Sequence, residues 1–208
     1  GTGPVRLGAW KRGVEVALEA HAAYWDGAPK LKGVRFMVVP SDDTAINQFT
    51  AGDLDLVMLG TEAARRVLRD ANLSPRLIKA PAAQITYLGM NQTQFAPFRD
   101  KRVREAFCIA LDRPAMVRGI FGGLAEPLSG QITPGIGGYD PTLPQIAFDR
   151  DKARRLFAEA GFAEGRGFPP LAIATIPSNR TESAYIADQL RQVLGIAVDI
   201  NVMERGTF

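Results

Sequence analysis

The residue types that most often carry out catalysis are few and scattered in this sequence. His21 is the only histidine and Cys108 the only cysteine among 208 residues. A Ser-His-Asp triad would have to use His21, and no GxSxG stretch accompanies it. The acidic residues Asp42-Asp43, Asp53 and Asp55 fit cap and turn roles better than paired acid–base work. Without a histidine–cysteine cluster to bind a metal, we expect no enzyme activity and no cofactor.

Arg180 has a position that is typical of ligand binding. It follows Ser178-Asn179, between the predicted strand LAIATI and the body of a predicted helix. In open α/β sheets, ligands lie at the carboxyl ends of strands, close to helix N-termini. An arginine there can form a forked pair with a carboxylate. Position alone leaves two interpretations open, a ligand-binding arginine and a solvated surface arginine.

The elements around Arg180 predict an α/β fold. The strand LAIATI, the helix SNRTESAYIADQLRQVLG and the strand IAVDINVME follow one another, which is typical of strand–helix–strand packing. Earlier in the chain, four short apolar runs predict strands: VRLGAW, VEVALEA, VRFMVV and LDLVML. A short helix between Ser41 and Gly52 and a second helix, EAARRVLRDAN, capped by Thr61, complete this part.

The stretch MNQTQFAPFRDKRVREAFCIALDR predicts a core helix. Asp100 is a suitable N-cap, and one buried stripe follows at helical spacing: Val103, Ala106, Phe107, Ala110 and Leu111. The intervening basic residues are interpreted as a solvated helix face rather than a phosphate site. Cys108 is expected to be a small buried residue. Asp112 and Pro114 predict the start of the next helix.

Loops rich in glycine and proline separate the remaining elements. Residues 122–148 form a long loop, which in a compact domain is usually functional or packed on itself. Asp149 or Asp151 is expected to cap the helix KARRLFAEAG. The stretch PRLIKAPAAQITYLGMN is predicted to be extended, with Pro75 and Pro81 as interruptions.

Composition excludes several classes of protein. Hydrophobic residues make up 46% and charged residues 23% of the chain, which is ordinary for a globular protein. The net charge of +3 is too small to indicate nucleic-acid binding. No run of 18 apolar residues predicts a membrane span, and a single cysteine cannot form an intrachain disulfide.

An ordered set of motifs resembles the bacterial solute-binding proteins of family 5. The motifs are, in order, W-x7-L-x5-YWDG-x-P, F-x-AGDLD, MNQTQFAPFRDKRVREAFCIALDR, AEP, YDP and DRDKARRLFAEAGF. The resemblance implies an extracytoplasmic, periplasmic receptor that delivers a small solute, most often a peptide, to an ABC permease in the inner membrane. It implies a periplasmic-binding-protein-like fold (type II, cluster C), here partial. Residues 1–84 would belong to the hinge-containing lobe, with a mixed sheet, and residues 85–208 to the C-terminal lobe.

The resemblance also implies a ligand site. Arg180 aligns with an arginine that pairs with the ligand carboxylate, and a one-residue gap would place Thr181 there instead. Leu59-Gly60 and Leu88-Gly89 match places where the backbone of the family borders the ligand. The acidic partner for a peptide amino group, expected in a W-x-x-D-like segment, does not occur in this sequence.

Two rival interpretations come from other classes of protein. The chain could be an interaction module that pairs through exposed strand edges, giving a homodimer with no ligand binding of its own. It could also be a small enzyme that uses Asp53, Asp55 or His21. The sequence offers no pairing of a nucleophile with a base, so solute binding is the interpretation that we carry forward.

Overall fold

The computed structural model describes residues 2–80, 82–204 and 206, so the predicted interruption at Pro81 lies outside the described residues. The chain divides into two compact units, Gly1–Val67 and Leu68–Phe208. We call them the first and the second unit. The lobe boundary expected after residue 84 concerns a longer receptor and stays a prediction. None of the described helices is long and apolar enough to cross a membrane.

The first unit is built on a three-stranded antiparallel sheet followed by two helices. Its elements are β1 (Val5–Lys11), β2 (Glu15–Ala20), β3 (Gly33–Met37), α1 (Asp42–Ala51) and α2 (Thr61–Val67). The central strand is β2, which pairs with both neighbours in antiparallel fashion, so this sheet is not the mixed sheet expected for residues 1–84. Gly33 is required at the edge, because a Cβ there would lie 2.5 Å from the carbonyl oxygen of Leu18. The three strands and α1 confirm the sequence predictions for this region.

Local signals determine both ends of α1. The Ser41 hydroxyl accepts a hydrogen bond from the N–H of Thr44 at 3.2 Å, which satisfies one of the free donors of the first turn. Gly52 ends the helix with a φ of 88°, a left-handed conformation that glycine adopts without a steric penalty.

The prediction of a strand at LDLVML is wrong. Residues 54–59 form no strand, and none of the backbone hydrogen bonds found among the described residues involves them. Leu56 and Met58 are 70% and 87% exposed. An apolar run becomes a strand only where a neighbouring strand can pair with it, and none of the described strands does so here.

The second helix is shorter than the sequence predicts. It ends at Val67 rather than continuing to Asn72. The carboxylate of Asp70 accepts hydrogen bonds from the N–H groups of Asn72 and Leu73 at 2.8 and 3.1 Å. This turn of the Asx type competes with helical pairing and diverts the chain.

The second unit contains most of the buried apolar side chains. Its elements are α3 (Lys101–Ile109), α4 (Arg113–Gly119), α5 (Arg150–Glu159), β4 (Leu171–Thr175), α6 (Arg180–Leu194) and β5 (Val198–Val202). Single turns of 3-10 helix precede α3 at Ala96–Arg99 and α6 at Pro177–Asn179. The predicted caps Asp100, Asp112 and Asp149 each accept a backbone hydrogen bond at a helix start.

Aromatic packing holds α3 and α5 together. Phe107 and Phe157 are 1% exposed, and Phe98 meets Phe107 edge to face with ring centroids 5.1 Å apart. Phe168, from the stretch before β4, packs on Phe157 at the same centroid distance. The predicted stripe is confirmed, since all five of its residues are buried: Val103, Ala106, Phe107, Ala110 and Leu111. Cys108 is half-buried rather than buried.

The arginines of the basic stretch are not simply solvated. Arg102 donates to the carbonyl oxygen of Glu159 at 2.7 Å, where α5 ends. Arg104 donates to the carbonyl oxygens of Phe98 and Arg99. These bonds satisfy carbonyls at helix ends that have no intrahelical partner. The expectation of a solvated face is corrected for Arg104, which is half-buried, whereas Arg102 remains exposed. Neither guanidinium is left free for phosphate.

The strands β4 and β5 form a parallel pair that α6 connects. Leu171 pairs with Val198 and Thr175 with Val202, which confirms the predicted strand–helix–strand unit. The inner face of α6 is buried at Leu190 and Leu194. The start of α6 lies at the carboxyl end of β4, and because the strands are parallel, the carboxyl end of β5 lies at the same edge. Ligands of α/β sheets bind at this edge.

Candidate ligand-binding site

Arg180 is the first residue of α6, and its side chain is exposed. β4 ends at Thr175, and the single turn Pro177–Asn179 leads directly into the helix. Among the described residues, no hydrogen bond or ion pair engages the Arg180 guanidinium. A free cation at this edge of the pair β4–β5 can accept a carboxylate in forked geometry.

The first turn of α6 has no side-chain cap, although the N–H of Arg180 itself donates to the carbonyl oxygen of Pro177. The N-cap residue, Asn179, makes no side-chain capping bond, and its Oδ1 instead accepts from the Ser178 hydroxyl at 3.1 Å. The positive end of the helix dipole favours an anion at this turn. Thr181, the alternative position under a one-residue gap, is also exposed in this turn.

One acidic residue, Glu182, belongs to the same turn. It lies two residues after Arg180, and residues at that spacing do not face each other on a helix. Its Oε2 is buried without a hydrogen-bond partner among the described residues. We assign it no part in binding an anion.

Leu88 and Gly89 belong to the second unit and lie in a stretch that forms neither helix nor strand. Leu88 is half-buried and Gly89 exposed. Within the described part of the chain, no backbone hydrogen bond engages residues 82–90. The backbone N–H and C=O groups there are available to pair with an extended ligand.

Leu59 and Gly60 belong to the first unit, and the polar main-chain groups of Gly60 are already used. The N–H of Gly60 donates to Asp42 Oδ2 at 3.1 Å, and its C=O accepts from the N–H of Ala64 at 2.9 Å. Gly60 therefore has no free N–H for a ligand, and only the second lone pair of its carbonyl oxygen remains. Leu59 is half-buried.

The five predicted site residues are thus divided between the two units. Arg180, Leu88 and Gly89 lie in the second unit, and Leu59 and Gly60 in the first. Two cavities of about 130 and 260 Å³ occur in the second unit, one within the loop at 128–145 and one beside Phe168. Neither is lined by any of the five residues.

Two of the residues considered for catalysis, His21 and Asp43, have structural contacts. His21 Nδ1 donates to the carbonyl oxygen of Gly3 at 3.2 Å, and its Nε2 contacts Arg6. Asp43 forms an ion pair with Arg66. In the described part of the chain, no group of three or more His, Cys, Asp or Glu side chains could hold a metal ion.

Comparison with known proteins decides the family. The family model of the bacterial extracellular solute-binding proteins, family 5 Middle, matches residues 1–208. The chain belongs to this family. The resemblance seen in the sequence and the expected α/β, periplasmic-binding-protein-like fold are both confirmed.

Relatives of this family 5 chain include glutathione-binding protein GsiB from Escherichia coli K12. It is 30% identical over 208 residues, which cover 99% of this chain and 40% of GsiB. The chain thus spans about two-fifths of the length of the curated relatives that it matches.

Solved family 5 structures agree with this assignment. The oligopeptide-binding protein AppA from Bacillus subtilis, solved with a nonapeptide, is 26% identical with a TM-score of 0.72, covering 99% of this chain and 43% of AppA. NikA from Brucella suis, solved with Fe(III)-EDTA, is 25% identical with a TM-score of 0.76, covering 100% of this chain and 44% of NikA. CtaP from Listeria monocytogenes has a TM-score of 0.81 at 22% identity, covering 99% of this chain and 42% of CtaP, and supports the fold alone.

Proposed function

We propose that residues 1–208 form part of a longer extracytoplasmic receptor that captures a small peptide with a free carboxylate for an ABC importer. The observation that carries this proposal is the exposed Arg180 guanidinium at the start of α6, which no described residue engages. Capture is non-covalent, and the permease of the inner membrane receives the ligand. The residues contribute binding, and none is assigned a catalytic role.

The relatives support a peptide as the class of ligand. One is named for glutathione, a tripeptide, and AppA was solved with a nonapeptide. NikA was solved with Fe(III)-EDTA, a metal chelate whose EDTA component also carries carboxylates. A cation at a helix N-terminus suits the carboxylate that all of these ligands share.

Three features of this chain supply the binding energy. Arg180 contributes roughly 1.5–3 kcal/mol for each charge-assisted hydrogen bond that it donates. The backbone of residues 82–90 pairs with the extended peptide, and Leu88-Gly89 is the segment that borders it. Leu59-Gly60 contributes apolar contact. These roles assume that residues 1–84 and 85–208 belong to two lobes that close on the ligand by a hinge.

The test is calorimetry on the full-length receptor, titrated with glutathione and with a set of di- and tripeptides. We expect Arg180→Ala to weaken binding by roughly 2–4 kcal/mol, the cost of truncating one partner of a buried charge pair. Arg155→Ala is the matched control, because Arg155 is an exposed arginine of another helix, α5. An unchanged dissociation constant in Arg180→Ala removes this residue from the site.

We also expect the 208-residue chain alone to bind such peptides weakly or not at all. Closure of two complete lobes excludes water and strengthens the charged contacts. The chain spans about 40% of its relatives and does not contain the expected acidic partner of the peptide amino group. Micromolar binding by the chain alone, measured with the same peptides, would contradict this expectation.

A further inference from the structure

Two buried hydroxyl groups connect the end of β4 to the first turn of α6. Ser183 is 5% exposed and Thr175 is 4% exposed. Ser183 Oγ lies 3.0 Å from Thr175 Oγ1 and 2.9 Å from the carbonyl oxygen of Asn179. Thr175 is the last residue of β4, and Asn179 and Ser183 flank the start of α6.

The chemistry of these groups fixes the direction of the two hydrogen bonds. A carbonyl oxygen only accepts, so Ser183 donates its single hydroxyl proton to Asn179. Ser183 then has no proton for Thr175, and the Thr175 hydroxyl must donate to Ser183 Oγ. The result is a relay that runs from Thr175 through Ser183 to the Asn179 carbonyl. We call these three residues the hydroxyl relay.

The hydroxyl relay brackets Arg180 on both sides. Asn179 immediately precedes Arg180, and Ser183 follows it by almost one turn. The backbone of Thr175 is held as well, because its carbonyl oxygen accepts from the N–H of Met203 at 2.8 Å, just after β5. The start of α6 is therefore tied to the carboxyl end of the parallel pair β4–β5 through buried polar bonds.

We propose that the hydroxyl relay is a positioning device for Arg180, with Ser183 and Thr175 as its positioning residues. The relay sets the position of the guanidinium and of the first turn of α6, and so sets the preference for a ligand carboxylate. This inference rests on the proposed function for the ligand, whereas the relay itself can be tested without one.

The first experiment measures backbone hydrogen exchange at residues 183–185 in the full-length receptor without ligand. Ser183→Ala removes both bonds of the relay, so we expect exchange there to accelerate by roughly tenfold, as local opening becomes easier. Ser129→Ala is the matched control. Its Oγ is also buried, but it lies in the loop 122–148 and has no hydrogen-bond partner among the described residues. Exchange at residues 183–185 that is unchanged in Ser183→Ala overturns the inference.

The second experiment separates positioning from mere stability. Binding of a peptide is compared with binding of its C-terminal amide, and the ratio of the two dissociation constants gives the preference for a carboxylate. We expect Ser183→Ala to reduce this preference by roughly tenfold. The double variant Ser183→Ala/Thr175→Val leaves no buried hydroxyl unpaired, so it should regain much of the lost stability. The preference should stay low, because the relay is still missing.

The outcomes are distinguishable. If the preference for a carboxylate recovers together with stability in the double variant, the relay only stabilises the fold, and the positioning role is wrong. If the unmodified receptor shows no preference for the acid over the amide, the proposed recognition of a ligand carboxylate is wrong. Exchange at residues 183–185 then still decides whether the relay fixes the first turn of α6.

Discussion

The two units of the chain carry similar local signals but very different cores. In the second unit, rings such as Phe107 and Phe157 are about 1% exposed and contact one another. In the first unit, the buried apolar side chains among the described residues are no larger than valine: Ala45, Ala63, Ala64 and Val67. Large side chains such as Trp25, at 79% exposure, and Phe36, at 58%, remain on the surface of that unit.

The difference shows that capping and turn signals specify helices and strands without specifying a core. Ser41 caps α1 of the first unit in the same way that Asp149 caps α5 of the second. Burial of apolar area supplies most of the favourable free energy of folding.

We therefore expect the second unit to hold its own structure and the first unit, taken alone, to be only marginally stable. Hydrogen exchange resolved along the chain tests this contrast, and equal protection of the two units would contradict it.

The largest expected effect comes from the aromatic core of the second unit. Phe157→Ala should destabilise the chain by about 3–5 kcal/mol, the usual cost of deleting a buried phenylalanine ring. Urea unfolding followed by circular dichroism at 222 nm measures it, because α6, the longest of the described helices, lies in this unit. Phe36→Ala is the matched control in the first unit and should change the midpoint little. A similar loss in both variants would break the contrast between the units.

A helix cap should matter about equally in both units, because its energy is local. Asp149→Ala removes the bond from the N–H of Lys152, which is 2.9 Å long, and Ser41→Ala removes the corresponding bond in α1. We expect each to cost about 1 kcal/mol. Hydrogen exchange in α5 and in α1 reports the two effects separately. A cost that is confined to one unit would show that caps depend on the core behind them.

The arginines that bind carbonyl oxygens should contribute less. Arg154 donates to the carbonyl oxygens of Val193 and Gln192 at 2.9 and 3.2 Å, at the end of α6. Because the side chain is exposed, we expect Arg154→Lys, which loses the forked geometry, to cost only about 0.5–1 kcal/mol. Arg155→Lys on the same helix is the control. No difference between these two variants in urea unfolding would show that the forked bonds are energetically neutral.

The smallest expected effect is on how the free energy of unfolding depends on pH below neutrality. Lys152 donates a hydrogen bond to Glu105 and lowers the pKa of that carboxyl below its ordinary value, and Lys11 does the same for the pKa of Glu15 in the first unit. A carboxyl group with a lowered pKa in the folded state adds stability above its unfolded pKa, and that stability is lost as the pH falls through the folded pKa.

Glu105→Gln should therefore slightly reduce the loss of stability that the second unit shows as the pH falls. Glu15→Gln should do so in the first unit, where hydrogen exchange between pH 6 and pH 3 gives the readout. An acid side that is unchanged in both variants would mean that neither ion pair is maintained in solution.

Much of the fold was predictable because its signals are local in the sequence. Asp100 and the stripe from Val103 to Leu111 determine α3, and the strands on either side of α6 follow from short apolar runs. The strand expected at LDLVML failed because pairing depends on a neighbour that periodicity does not reveal. The carbonyl partner of Arg102, Glu159, lies 57 residues further along the chain, beyond the reach of any local pattern.

The candidate site was predictable to a lesser degree. The place of Arg180 at the end of a strand and the start of a helix could be predicted from the turn-forming residues before it and from apolar periodicity. The use of both main-chain groups of Gly60 could not, because Asp42 lies 18 residues away. Nor could the hydroxyl relay, since Ser183 and Thr175 are common residue types whose pairing depends on how α6 lies against β4.

The most direct measurement is a crystal structure of the full-length receptor with a bound peptide. We predict that the Arg180 guanidinium contacts the peptide carboxylate through two parallel hydrogen bonds of about 2.7–2.9 Å, in a closed cleft. A peptide bound in that cleft with its carboxylate held elsewhere, and with Arg180 still turned to solvent, would contradict the proposed site.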